Sequence, residues 1–208
     1  MNRLKSIKLY FLSIYKLLFL NLKNFYFQSK FYNKKLITFV PDRIFYTPST
    51  YLSNSLIAAN NDFYKISDIS PELFWQINVE DKLRFDNLHS FLWLSKLDRK
   101  NSKNITKDII KSWLDIFHSY EPDTWNIEIT SKRIIAWLSN IDITLEDSDK
   151  AYQEKFFSSV IKQSNFISKN LNSIFFGPEK IIACAAIILS GIIFKENEIN
   201  YKNGIKEL

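Results

Sequence analysis

Glycine is nearly absent: the 208 residues contain three, Gly177, Gly191 and Gly204. No pair of them fits G-x-G, so the dinucleotide-binding fingerprint is missing. The phosphate-cradling loop G-x-x-x-x-G-K and the G-x-S-x-G nucleophile elbow are missing too. Each of these devices needs glycine where backbone approaches a phosphate or turns sharply, so nucleotide-dependent and α/β-hydrolase chemistry are poor fits. Cysteine is scarcer still. Cys184 stands alone, which removes an intramolecular disulfide framework and any thiolate zinc cluster. His89 and His118, the only histidines, have no ligand spacing, so neither a metal nor a cofactor is expected. Acids are missing from the front of the chain. Residues 1–50 hold nine Lys/Arg and one acid, Asp42, although the whole chain carries only +6. Such a basic arm favours an anionic partner, or else presents a solvated face.

What is present is apolar and aromatic, 46% and 16% of residues respectively. That suffices for a sizeable core in one domain with an N-terminal appendage. Residues 1–30 read as a basic amphipathic helix in which Leu4, Ile7, Phe11, Ile14, Leu18 and Leu22 recur at helical spacing. Lys16 and Lys23 interrupt the run, and Phe25-Tyr26-Phe27 is no cleavage site, so neither a secretory signal nor a membrane span is expected. A helix docked on the domain or lying on a membrane surface fits better. Residues 31–78 read as an irregular wrapping segment. Its weak strand character near 36–66 comes from Leu36-Ile37-Thr38-Phe39-Val40, stopped by Pro41, and from Phe63-Tyr64-Lys65-Ile66.

From residue 79 to 208 the pattern is helical, and the expected fold class is all-α, built from antiparallel helix pairs. The spacing predicts helices over 80–97, 104–119, 126–141 and 148–173. The next opens at Gly177-Pro178-Glu179, with proline at the first helical position. Its continuation from Ile181 to Leu189 is apolar all round, which predicts burial on every side. The acids at 146–149 suit the positive end of the helix that follows them. Residues 199–208 start a further helix without a stop signal, so the chain is expected to be one part of a longer protein.

Two rows of residues could carry chemistry. Asn126, Thr130, Arg133, Trp137 and Asn140 follow i, i+4, i+7, i+11, i+14. Amide, hydroxyl, guanidinium and indole together can grip a sugar, the ring stacking while Arg133 pairs with a uronate. A half-exposed helix face with one boundary tryptophan gives the same row. Phe85, His89, Trp93 and Lys96 form a second row. There His89 is a conceivable general base, or alternatively a hydrogen-bonded packing residue. Trp75 and Trp125 could stack a sugar or anchor the core, whereas His118 reads as a cap or surface group. No pair of acids stands out as a hydrolytic couple.

Several stretches together resemble a known family. They are Pro71-Glu72-Leu73-Phe74-Trp75, Phe85-Asp86-Asn87-Leu88-His89-Ser90-Phe91-Leu92-Trp93-Leu94, Trp113-Leu114, Asp123-Thr124-Trp125 and Arg133-Ile134-Ile135-Ala136-Trp137-Leu138-Ser139. In that order and spacing they look like the N-terminal helical region of bacterial heparinase II/III-family polysaccharide lyases. The resemblance implies part of an incomplete (α/α) toroid that shapes a cleft for an acidic, uronate-containing polysaccharide. Such enzymes cleave by β-elimination: a Tyr or His takes the proton at C5 while Asn or His neutralises the carboxylate. None of those catalytic groups maps onto a position here, so they would lie beyond residue 208. Trp93, Asn126, Thr130, Arg133, Trp137 and Asn140 are then expected to line the cleft. Other readings are a helical scaffold module, and a basic arm on a membrane or nucleic acid. No nucleic-acid motif is visible, so nucleic acid is not the expected partner.

Overall fold

A computed structural model describes residues 3–49, 75, 81–97, 99 and 101–208. Among these the fold is all-α, with nine α-helices. They are α1 (Arg3–Gln28), α2 (Lys30–Leu36), α3 (Lys82–Ser90), α4 (Lys103–Ile116), α5 (Ile127–Ser139), α6 (Ile141–Thr144), α7 (Lys150–Asn170), α8 (Pro178–Ile193) and α9 (Glu198–Glu207). Side chains begin four of them by accepting otherwise unpaired amide hydrogens. Ser29 accepts from Tyr32, Asp81 from Arg84, Asn126 from Glu128 and Asp149 from Tyr152. Asp149 lies in the acidic run expected to start this helix, and Pro178 occupies the first turn of α8.

Helix α5 is the hub. It packs against α3, α7 and α8, while α4 leans on α6 and α7 and α9 lies along α8. Ile134, Ala136, Trp137 and Leu138 of α5 are fully buried, as are Val160 and Ile161 of α7 and Ala183, Cys184 and Ile187 of α8. A chain of amides stitches the outer elements to this core. Asn165 donates to the Leu36 carbonyl at 2.8 Å, Asn200 donates to Asn165 and Asn197, and Asn197 donates to Ser190. These buried side-chain groups satisfy one another, which is what makes their burial tolerable.

Three expectations are corrected. Residues 37–40 form no strand: Leu36 belongs to α2, and Ile37, though extended, turns its N–H back to the Lys34 carbonyl. The β-branched and aromatic residues there were a weak signal, overruled because no neighbouring strand exists among the described residues to complete a ladder. The second strand, 63–66, lies outside the described residues. The helix expected over 80–97 is broken at Phe91, whose φ of 58° is left-handed, and continues as a 3-10 turn over Leu92–Lys96. Phe91 is 0% exposed, so burial of its ring offsets a backbone conformation that costs roughly 1–2 kcal/mol. Finally, α8 is not enclosed on every side, because Ile181 and Ile192 are exposed.

The α8–α9 crossing depends on its glycines. A methyl carbon on Gly191 would stand 2.8 Å from the Tyr201 nitrogen and 3.0 Å from the Asn197 carbonyl oxygen. On Gly204 it would meet the Cys184 carbonyl oxygen at 3.1 Å. Backbone cannot yield as a flexible side chain does. Gly191→Ala is therefore expected to destabilise the protein by about 1–3 kcal/mol, the usual cost of overpacking. Urea unfolding measures this, and an unchanged midpoint would mean that the two helices are not closely apposed.

Candidate functional site: a buried arginine node and an open groove

Arg133 projects from the middle of α5 and is 0% exposed. Its Nε donates to Gln163 Oε1 at 2.7 Å. Nη1 donates to the carbonyls of His89 and Thr124, each at 3.0 Å, and Nη2 donates to the Thr130 hydroxyl at 3.2 Å. The guanidinium also lies 4.2 Å from the centre of the Trp113 ring, a cation–π distance. Every hydrogen-bond acceptor found for it is neutral. Burial accordingly pushes its pKa well below the usual arginine range. A planar fork of five donors is the one side chain able to tie α3, the 121–126 turn, α5 and α7 together at a single point.

The rest of the row follows Arg133 inward. Thr130, Trp137 and Asn140 are all 0% exposed. Trp137 packs edge-on against Phe91 at 5.2 Å and Trp113 at 5.3 Å. Its Nε1 has no hydrogen-bond partner among the described residues. Asn140 donates to the Ala136 carbonyl and accepts from Arg99 at 2.6 Å. Asn126 alone is at the surface, where it caps α5. The open groove expected between these residues is therefore not there: helical spacing put them on one face, and that face meets α3, α7 and α8 rather than solvent. Periodicity reports that side chains share a face but not whether the face is wet.

The second row is similarly enclosed. His89 is 0% exposed, with its ring against Phe85, Trp75 and Phe117 at 4.2, 5.3 and 5.0 Å. Trp113 Nε1 donates to His89 Nδ1 at 3.2 Å. An indole can only donate, so Nδ1 must hold the lone pair and Nε2 the proton. Burial, reinforced by the Arg133 charge, lowers the imidazole pKa to about 3. Its basic nitrogen is thus occupied and its ring neutral, so here His89 packs the core instead of exchanging protons with a substrate. Trp93 is half-buried, stacked on Phe91 at 5.4 Å, with Nε1 donating to the Leu88 carbonyl at 3.1 Å. Trp75 and Trp125 are core anchors that donate to Ser112 and the Phe117 carbonyl. Exposed His118 meets the Asp115 carbonyl oxygen near the end of α4.

An open groove of about 580 Å³ lies elsewhere, between the front of α4 and the turn before α7. Exposed Asn104, Asp108 and Lys111 line it beside Asp147. Lys103 pairs with Glu146 at 2.6 Å, and Lys107 donates to the Glu146 carbonyl at 3.1 Å, so the 146–149 turn is held by two lysines. Amide, carboxylate and ammonium groups on one concave surface can bond hydroxyls from several directions. These residues lie on the outer face of α4, which sequence spacing marks only as polar. Nor was Gln163 anticipated: it lies beside the run of apolar residues on α7, where spacing alone does not show that it turns inward. Among the described residues no group of three His, Cys, Asp or Glu could hold a metal ion.

Comparison with known proteins finds no match among family models, curated proteins or solved structures.

Proposed function

We propose that this chain is the N-terminal helical part of a heparinase II/III-like lyase that cleaves uronic-acid-containing polysaccharide by β-elimination. The observation that carries the reading is the convergence of the resembling stretches. Trp75, His89, Phe91, Trp113, Thr124, Arg133 and Trp137 come from five separate segments, and their rings and hydrogen bonds meet around Arg133. In this reading the node sets the helix arrangement of the toroid. The acidic polysaccharide meets surface groups, with the groove at Asn104, Asp108 and Lys111 offering donors and acceptors for its hydroxyls. The proton-abstracting and carboxylate-neutralising groups of the family belong to segments other than those described.

The sealed state of the Thr130–Asn140 row favours a second reading, a helical scaffold module in which the same node serves only stability. One experiment separates the two. The protein is incubated with a panel of uronate polysaccharides while absorbance from the unsaturated uronate product is followed, alongside amide chemical shifts titrated with uronate oligosaccharides. The lyase reading expects product absorbance from the whole enzyme and shifts clustered at Asn104, Asp108 and Lys111. Absence of both with every polysaccharide leaves the scaffold.

A further inference from the structure

Among the described residues, helix α1 meets the body through its C-terminal end, from Asn24 onward. Asn24 accepts from the Tyr120 hydroxyl at 3.1 Å, and Phe27 stacks on Tyr32 at 4.5 Å and meets Tyr120 and Phe166 edge-on. Every side chain from Lys5 to Leu22 is exposed. At 1.5 Å per residue that is about 27 Å of helix. Ile7, Phe11, Ile14, Leu18, Leu22 and Phe25 follow i, i+4, i+7, i+11, i+15, i+18 and form one continuous apolar stripe. Their exposures run from 38% at Ile14 to 76% at Phe25. An uncovered apolar surface of this extent marks an interaction site.

The charges identify the occupant. Lys5, Lys8, Lys16 and Lys23 follow i, i+3, i+11, i+18, which gathers them on one flank of the helix, Lys8 beside the stripe and the other three further round, while exposed Leu9, Leu17 and Leu20 take up the rest of the far side. No acid precedes Asp42 in the sequence. Tyr10 and Tyr15 fall at the two borders of the stripe, where a phenol can keep its ring in an apolar layer and its hydroxyl wet. Leu12 and Phe19 interleave with the lysines, whose four-carbon stems can reach past them to bring the ammonium groups to a polar boundary. A second copy of α1 would bring only further lysines to the flanks, with no acid to offset them. Crossing a bilayer is also disfavoured, since no described helix is long and apolar enough to span one. We infer that α1 lies in the plane of an anionic lipid surface, its stripe in the acyl boundary and its lysines among the headgroups.

Co-sedimentation of the 208-residue chain with vesicles tests this. One vesicle set is phosphatidylcholine alone and the other contains phosphatidylglycerol. The chain is expected in the pellet with the anionic set and largely in the supernatant with the neutral set, the difference shrinking at high salt. Replacing Lys5, Lys8, Lys16 and Lys23 with glutamine is expected to weaken binding roughly tenfold or more. Leu18→Asp with Leu22→Asp is expected to abolish it. All six side chains stand outside the core, so circular dichroism should show both variants folded. Equal binding to the two vesicle sets, indifference to either variant, or concentration-dependent self-association through α1 in place of pelleting would each overturn the inference. None of these outcomes touches the lyase assay.

Discussion

Arg133→Ala is expected to lower the free energy of unfolding by about 3–5 kcal/mol. The carbonyls of His89 and Thr124 and the amide oxygen of Gln163 all lose their donor in the interior. Each buried acceptor left unpaired costs about 1–3 kcal/mol, and the vacated volume beside Trp113 adds a cavity term. Relief from keeping a cation out of water offsets part of that sum, since no carboxylate among the described residues pairs with it. Arg133→Lys is the sharper variant. A point ammonium cannot serve acceptors on α3, α5, α7 and the 121–126 turn together, so retaining the charge is expected to rescue little. Urea unfolding followed by circular dichroism reads both. Full rescue by lysine would show that charge over the Trp113 ring, and not the fork of donors, holds the node.

Acid should expose the second large effect. The folded state keeps His89 neutral, with a pKa of about 3 against 6.5 for a free imidazole. Between those values the unfolded chain binds a proton that the folded chain refuses. Stability is therefore fully present above pH 6.5 and declines as pH falls toward 3. At 1.36 kcal/mol per unit, the loss from His89 alone is about 3 kcal/mol by pH 4. His89→Phe removes this titration but leaves the Trp113 indole without its acceptor, so the slope of stability against pH is the informative comparison, not the level at pH 7. Asp86, whose pKa is raised chiefly by burial, acts in the opposite sense. It is common to both proteins and cancels in the difference. Parallel acid limbs for wild type and variant would place the imidazole in contact with water.

The helices were legible because their caps and stripes are local. Asp149 and Pro178 announce α7 and α8 in the residues themselves, and the apolar face of α5 follows from Ile127, Ile134 and Leu138. The break at Phe91 was not legible, because a left-handed phenylalanine is chosen by tertiary packing against Trp137 and Trp113, which no local pattern records. The site misled in a related way. Arginine and tryptophan at helical spacing carry the same signature on a wet face and inside a core. Only Gln163, Thr124 and the carbonyl of His89, remote in sequence, decide that Arg133 turns inward.

The perpendicular meeting of Trp113 and Trp137 at 5.3 Å, within a core that also holds Trp75 and Trp125, gives the molecule a built-in optical gauge. Indoles shielded from water emit at shorter wavelength, and two fixed at a steep angle couple their transition moments into a near-ultraviolet dichroic signal. That signal reports the packing of the tryptophan core and will fade when tertiary packing is lost, even while helical content persists.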